Sequence, residues 1–599
     1  MTTLANDPAQ FADEALRGFA DAHAGTVRLV PGGVVRATAT PTGKVAVVVG
    51  GGSGHYPAFA GLVGPGFADG AVVGNVFTSP SASDAASVAR HAASDAGVLL
   101  LTGNYAGDVM NFGLAVQRLR AEGVDARYLV VTDDIASAPV GQEDLRRGIA
   151  GDLTVFKVAA AAAEAGLDLD GVEAAARHAN ARTRTLGVAF DGCTLPGADA
   201  PLFTVPDGAM GIGVGIHGEP GIGETAFPTA AGLAATLVDR VLAEAPGVGP
   251  ARAAVVLNGL GRTKYEELFV LWADVAPLLR AAGVTVVEPD VGELVTSLDM
   301  AGCSLTLMWL DESLEAYWRA PAAAPAYRKG AFVGSAGVAR ASDGGAAPGG
   351  LVPEPGPEAD DAHRAPVSAR GRALAGRVVA AFEAGVAALV GAEERLGRLD
   401  AVAGDGDHGR GMVRGASAAR DAARTCADAD GGPTDVLVEA GRAWSDRAGG
   451  TSGVLWGAML EAAGRALGDD DEAWRRWDAG TTGEVARAVR AGVDALQTLG
   501  RATPGDKTML DALGPFVDAL DAAARAGTGP AEAWDRATAR AERAAQETAA
   551  LRPRLGRARP LAEQSVGTPD PGAVSFALVA AAVGAAPPAP DGAHLEEDA

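Results

Sequence analysis

A histidine set between glycines can approach a ligand closely, and residues 215–221, GIHGEPG, hold one, His217. A metal-ligating imidazole needs companions, yet the chain has eight histidines and none of the others is a near neighbour of His217. Two further stretches in the same half carry chemistry. In GGGSGHYP (50–57) three consecutive glycines expose backbone N–H groups, and Ser53 and His55 add side-chain hydrogen bonds; a tight strand-to-helix turn is the alternative. In GNYAGDVMNFG (103–113) Asp108 is either a base or the N-cap of a helix starting near Val109. The other half holds LDAVAGDGDHGRGM (399–412), with Asp400, Asp405 and Asp407 inside eight residues. Three clustered carboxylates repel one another, and glycines that allow a tight bend fit them to Mg²⁺, with two ions sharing the set. A solvated acidic loop is the alternative; the spacing does not fit an EF-hand.

These residues need elements to position them. From about residue 40 to 330, short β-rich runs alternate with alanine-rich helical segments, which predicts a parallel α/β sheet. The runs span 44–50, 97–101, 127–132, 253–259, 283–289 and 303–310, and loops at the carboxyl ends of such strands are where ligands bind. Residues 335–366 are rich in Gly, Pro, Ala and Asp without periodicity and read as a linker. Beyond it Leu374, Val378, Phe382, Val386 and Leu389 mark one helical face, and further helical segments lie around 434–446, 454–466, 482–499 and 530–549. The division is therefore 1–334 α/β, 335–366 linker, 367–588 all-α and 589–599 acidic tail.

Composition limits the partners. At 599 residues the chain needs more than one core, and a net charge of −25 argues against nucleic acid or an anionic membrane surface. Cys193, Cys303 and Cys426 are too widely spaced for a disulfide framework or a zinc motif and suit a reducing, cytoplasmic setting. The first 25 residues read as a capped helix, not a secretion signal, and the apolar run 573–586 as a buried helix.

Gly51, Gly52, Ser53, Gly54 and His55, then Asn104, Tyr105, Gly107 and Asp108, then His217 in GIHGEPG together resemble the substrate-binding domain of the dihydroxyacetone kinase family over about residues 10–330. The resemblance implies that His217 adds to the carbonyl of a short ketose, giving a hemiaminal that tethers the substrate and discriminates against glycerol. It further implies that Asp108 accepts the proton of the attacking hydroxyl, that His55 bonds that hydroxyl, and that Gly52, Ser53, Gly54 and Gly103 line the substrate. GGTSGVLWG (449–457), GRATPGDKTMLDAL (500–513) and RLGRARPLAEQSVGTPDPGAVS (554–575), individually caps and turns, with the aspartates resemble the family's helical ATP domain. This places His408, Gly409, Thr451, Ser452, Gly500, Thr508, Met509, Arg557, Asp570, Pro571 and Gly572 at ATP, and Asp400, Asp405 and Asp407 at Mg²⁺. The implied architecture is two α/β subdomains followed by an all-α helical barrel, in a homodimer.

The chain departs from the family pattern in places. Gly103 stands where relatives that act on dihydroxyacetone have lysine, Ala106 where they have threonine, and Tyr56 and Phe59 where they have Glu and His. Loss of the lysine removes a charge and is expected to open space near Asp108, so a four-carbon ketose such as erythrulose joins dihydroxyacetone as a candidate. RPLAEQS (559–565) also departs from the pattern of the ATP domain. The rival readings are a flavin-nucleotide cyclising lyase and a ketose sensor; the sensor predicts loss of Asp108 or of the magnesium aspartates, and all four are present.

Overall fold

The computed structural model describes residues 4–246, 251–330, 367–404, 406–468, 470–478, 482–500, 502–555 and 562–585. The expected linker and acidic tail, with Asp405 and Arg557, lie outside the described residues. The chain divides into two units, Met1–Glu358 and Ala359–Ala599.

The first unit contains two six-stranded sheets. The first sheet comprises β1 (Val27–Val30), β2 (Gly33–Arg36), β3 (Ala46–Ser53), β4 (Gly70–Val76), β5 (Val98–Gly103) and β6 (Ala126–Val131), in the order β1-β2-β4-β3-β5-β6. Its strands β4, β3, β5 and β6 are parallel, and the β1-β2 hairpin joins antiparallel at β4. β5 is buried along its whole length, which is why its sequence is apolar and not alternating. β3 and β5 end in the glycine-rich loops singled out above.

The second sheet comprises β7 (Thr183–Asp191), β8 (Ala209–Ile212), β9 (Gly223–Ala226), β10 (Ala251–Gly259), β11 (Val284–Gly292) and β12 (Ala301–Trp309), in the order β11-β10-β12-β7-β8-β9. Only β10 and β11 pair in parallel; the other neighbours are antiparallel. This corrects the expectation of parallel sheets throughout. The six apolar runs match β3, β5, β6, β10, β11 and β12, but β7 is interrupted by Arg184 and Thr185 and β9 is exposed at every residue. β9 offers no apolar run to read, the short run 186–190 of β7 is not among the six, and β12 lies antiparallel to both β10 and β7.

Asp108 is not the cap of its helix. That helix runs Ala106–Ala121 behind Tyr105, so Asp108 lies inside its first turn with its side chain buried.

The second unit is entirely helical among the described residues. Eight helices form a closed ring: Ala369–Asp400, His408–Asp428, Pro433–Ala448, Gly450–Leu467, Thr482–Gly500, Leu510–Arg525, Pro530–Glu547 and Pro571–Gly584, each packed on the next and the last on the first. Leu374, Val378, Phe382, Val386 and Leu389 are all buried, as their spacing predicts. Inside the ring Trp444 stacks on Trp456 at 4.7 Å, and Phe576 of the last helix lies beside Trp456.

Candidate active site

His217 lies in the loop joining β8 to β9. Glu219 folds back over two residues and accepts two hydrogen bonds from His217, from its backbone N–H at 3.0 Å and from Nδ1 at 3.0 Å. The glycines of GIHGEPG make this possible. A Cβ on Gly215 would fall 2.0 Å from Glu219 Oε2, so the carboxylate occupies the room a side chain would need. Arg147, anchored on Asp134 at 2.8 Å, stands 3.8 Å from the same carboxylate. Burial would raise the Glu219 carboxyl, but His217 and Arg147 outweigh it and hold the group well below the usual carboxylate range.

His55 meets His217 directly, Nε2 to Nε2, at 3.0 Å. The partners of the outer nitrogens fix the protons. Thr296 offers only a carbonyl, so His55 Nδ1 donates to it at 2.8 Å. Glu219 is ionised, so His217 Nδ1 donates to it. Two lone pairs would then face one another, and the contact between the rings requires one further proton. Burial first, and the His217 charge second, push His55 down to about 3. Phe77 stacks on His55 at 5.0 Å and, with Tyr105, meets the His217 ring edge-on at 5.2 and 4.6 Å.

The GGGSG run has a packing role of its own. A Cβ on Gly52 would lie 2.6 Å from the Thr78 backbone nitrogen, and one on Gly54 2.8 Å from the Phe77 ring. Phe77 itself has a left-handed φ of 52°, a conformation stored beside the two histidines. Ser53 Oγ and Asp108 Oδ1 are buried with no hydrogen-bond partner among the described residues. Buried polar atoms ordinarily have partners, so these two are available to a substrate. Burial raises Asp108 to about 6 against the opposing effect of its Ser79 hydrogen bond and the His217 charge. Asn111 holds Ser79 at 3.1 Å. The space over Gly103 is not open as expected, because the Tyr105 ring covers it. Glu219, Ser79, Phe77 and Arg147 had no assigned role in the sequence; a glutamate two residues after the histidine was the one readable signal.

In the helical unit, one end of the ring gathers several expected residues. Asp400, at the end of the first helix, accepts from the Gly406 N–H at 2.9 Å, and burial followed by Asp407 raises its carboxyl. Asp570 caps the last helix through Ala573 N at 2.7 Å and is pushed up to about 7, by burial first and by Asp511 among its neighbours, with Asp400 contributing. His408 Nε2 bonds Ser575 Oγ at 3.0 Å and the ring is also bonded to the Pro571 backbone, tying the second ring helix to the last. Asp511, with no role assigned from sequence, accepts from Thr508 N at 2.8 Å and Gly505 N at 2.5 Å and shapes the loop before Met509. Gly572 lies against Met509, and Gly409 lets the helix His408–Asp428 approach Glu393 of its neighbour. Thr451 and Ser452 begin the helix Gly450–Leu467, against whose Leu455 Gly500 packs, and no hydrogen bond joins them to the Asp400 group among the described residues. Among the described residues no three metal-ligating side chains come together, Asp405 lying outside them, but Asp400 and Asp407 are neighbouring oxygen donors of the kind Mg²⁺ takes.

An α/β unit that brings His55 and His217 together, and a helical unit that gathers carboxylates at one end of its ring, are the parts a two-domain phosphotransferase requires. Two family models match, the Dak1 domain over residues 17–326 and the DAK2 domain over residues 402–585. The chain belongs to the dihydroxyacetone kinase family, in its form with both domains in one polypeptide, and is an ATP-dependent ketose kinase. It is 62% identical to the D-erythrulose kinase of Mycolicibacterium smegmatis, over 97% of this chain and 98% of that one. It is 52% identical to the L-erythrulose kinase of Pectobacterium atrosepticum, over 98% and 96%. Among solved structures it is similar to the dihydroxyacetone kinase of C. freundii in complex with AMP-PNP and Mg²⁺, with TM-score 0.50, 29% identity and coverage of 97% and 99%.

Proposed function

We propose that the enzyme phosphorylates a terminal hydroxyl of erythrulose held as a hemiaminal on His217. The observation that carries this reading is the Thr296–His55–His217–Glu219 hydrogen-bond chain, whose His217 acts electrostatically on Asp108, a carboxyl with one unpartnered oxygen. His55 takes the proton from His217 Nε2, freeing a lone pair that bonds to the ketose carbonyl carbon. The carbonyl electron pair moves to oxygen, and His55 returns the proton there to form the hemiaminal hydroxyl. The substituted ring, still protonated at Nδ1, is cationic and stays paired with Glu219. Asp108, once ionised, accepts the proton of the terminal hydroxyl as its oxygen attacks the γ-phosphorus of ATP and ADP leaves.

ATP is bound by the helical unit in this reading, at His408, Thr508, Met509, Asp570, Pro571 and Gly572 on one group of loops and Thr451, Ser452 and Gly500 on the other. Asp400 and Asp407, with Asp405, would hold two Mg²⁺ ions, which supply charge neutralisation on the phosphates. Support comes from the carboxylates raised by mutual proximity and from the AMP-PNP and Mg²⁺ in the C. freundii complex. Erythrulose is favoured over dihydroxyacetone because Gly103 replaces lysine and because three relatives above half identity carry erythrulose in their names. A cytoplasmic homodimer completes the reading, consistent with the acidic composition and three widely spaced cysteines, and light scattering at assay concentration measures the oligomer.

The test is ATP consumption with Mg²⁺ across dihydroxyacetone, both erythrulose enantiomers and glyceraldehyde, with the phosphorylated carbon assigned by NMR. Highest kcat/KM for one erythrulose enantiomer is expected. Absence of ketose-dependent ATP consumption would overturn the proposal.

A further inference from the structure

Gly103 leaves a question about what replaces the missing lysine. A Cβ there would lie 3.0 and 3.2 Å from two carbons of the Tyr105 ring and 3.2 Å from the Gly148 carbonyl oxygen. Tyr105 thus covers the end of β5 while its ring edge meets His217 at 4.6 Å. Its phenol oxygen is buried and has no hydrogen-bond partner among the described residues. Asp152, at the start of the helix Asp152–Glu164, has a second such atom, Oδ1. That oxygen lies 2.7 Å from where a Gly148 Cβ would stand, and the same point is 2.5 Å from Gly103 Cα. The Tyr105 ring and the Asp152 carboxyl thus lie on either side of the Gly103–Gly148 contact, each carries a buried unpartnered oxygen, and the Asp152 charge acts on the Tyr105 phenol. Nearby Asp133, by contrast, is satisfied by the Ile149 and Gly151 N–H groups at 2.9 and 2.7 Å.

We infer that Tyr105 and Asp152 are specificity-determining residues that hydrogen-bond the additional hydroxyl which a four-carbon ketose carries and a three-carbon ketose lacks. This rests on the erythrulose reading above and supplies its structural cause. A phenol both donates and accepts. A carboxyl oxygen accepts a hydrogen bond whether or not the group is protonated, and burial, together with the neighbouring Asp133 and Asp108 charges, raises the Asp152 carboxyl well above the usual carboxylate range. A lysine at Gly103 would displace the Tyr105 ring and fill the recess with its own stem. Sites built to bond a hydroxyl discriminate strongly against the analogue without it, because the protein groups are left unpaired.

The experiment measures calorimetric affinity for D-erythrulose, L-erythrulose and dihydroxyacetone, without nucleotide, on the full chain and on Tyr105→Phe and Asp152→Asn. The unaltered enzyme is expected to prefer one erythrulose enantiomer over dihydroxyacetone. Tyr105→Phe is expected to weaken that enantiomer about tenfold while dihydroxyacetone changes less than about twofold. Asp152→Asn, whose amide still donates and accepts, is expected to keep the preference, and a further variant Asp152→Ala, which leaves no oxygen there, is expected to lose much of it. No initial preference, or equal effects of Tyr105→Phe on both ketoses, overturns the inference; an unchanged preference in Asp152→Ala removes Asp152 from it. Dihydroxyacetone binding by each variant serves as the control for folding. Failure of the kinase reading shows separately, as absence of ATP consumption by the unaltered enzyme.

Discussion

Glu219→Gln isolates the electrostatic half of the tether. In the native site one carboxylate accepts from both His217 Nδ1 and the His217 backbone N–H, each at 3.0 Å. A glutamine has one acceptor oxygen, so its amide must turn an N–H toward one of these two donors. The variant also removes the charge that balances the imidazolium of the hemiaminal. A charge-assisted hydrogen bond contributes about 1.5–3 kcal/mol, and its loss corresponds to roughly 10- to 150-fold in affinity. The assay is calorimetric ketose binding in the absence of nucleotide, paired with a nucleotide titration that should be unchanged. Gly215→Ala is an independent arm, because its Cβ would stand 2.0 Å from Glu219 Oε2 and must expel the carboxylate without removing it. Similar losses in both variants are expected. Ketose affinity within threefold of the unaltered enzyme in Glu219→Gln, with melting unchanged, would refute the pairing of Glu219 with a cationic tether.

Asp108→Asn should lower kcat by about 10²–10⁴ while ketose still binds. The same variant should be more stable at pH 8. A carboxyl raised from 3.8 to about 6 binds its proton more tightly folded than unfolded, so its contribution to stability is present below about 4 and fades as pH rises through 6. Removing the charge recovers roughly 3 kcal/mol above that range, visible as a higher Tm. For the unaltered enzyme, kcat should rise about tenfold per pH unit up to about 6 and then level, since Asp108 must be ionised to act. His55, held down to about 3, should add no limb between pH 5 and 8. Asp400→Asn keeps an acceptor for the Gly406 N–H and should raise the KM for Mg-ATP at least about tenfold with ketose affinity unchanged.

The residues proposed to do the chemistry could be singled out because such chemistry demands rare combinations. A histidine between glycines, a glycine run closing a strand and three aspartates in eight residues each stand out from composition. What remained hidden is set by neighbours distant in sequence. Ser79 touches Asp108 from another loop, and Arg147 reaches the β8–β9 loop from the segment before Asp152. Phe77 gave no signal because its importance lies in a left-handed backbone and a ring stacked on His55. The same limit applied to strands. β5 is buried and apolar throughout, so it could be read, whereas the exposed β9 Gly-Glu-Thr-Ala could be identified only through its pairing with β8. At Gly103 a missing side chain pointed to free space, and it took the position of Tyr105 to show that the space is filled.

The closed ring of helices has a consequence for how this enzyme is made. Its first stave, Ala369–Asp400, finds one of its two neighbours only in Pro571–Gly584, some of the last residues described. That late helix also brings Asp570 and Ser575 to His408 and Asp400. On a ribosome the barrel stays an open palisade, with Trp456 uncovered by Phe576, until the helix Pro571–Gly584 has emerged. A chain cut short before residue 571 therefore loses both the final stave and part of the proposed nucleotide site in a single event, while the α/β unit, long since synthesised, keeps its own core.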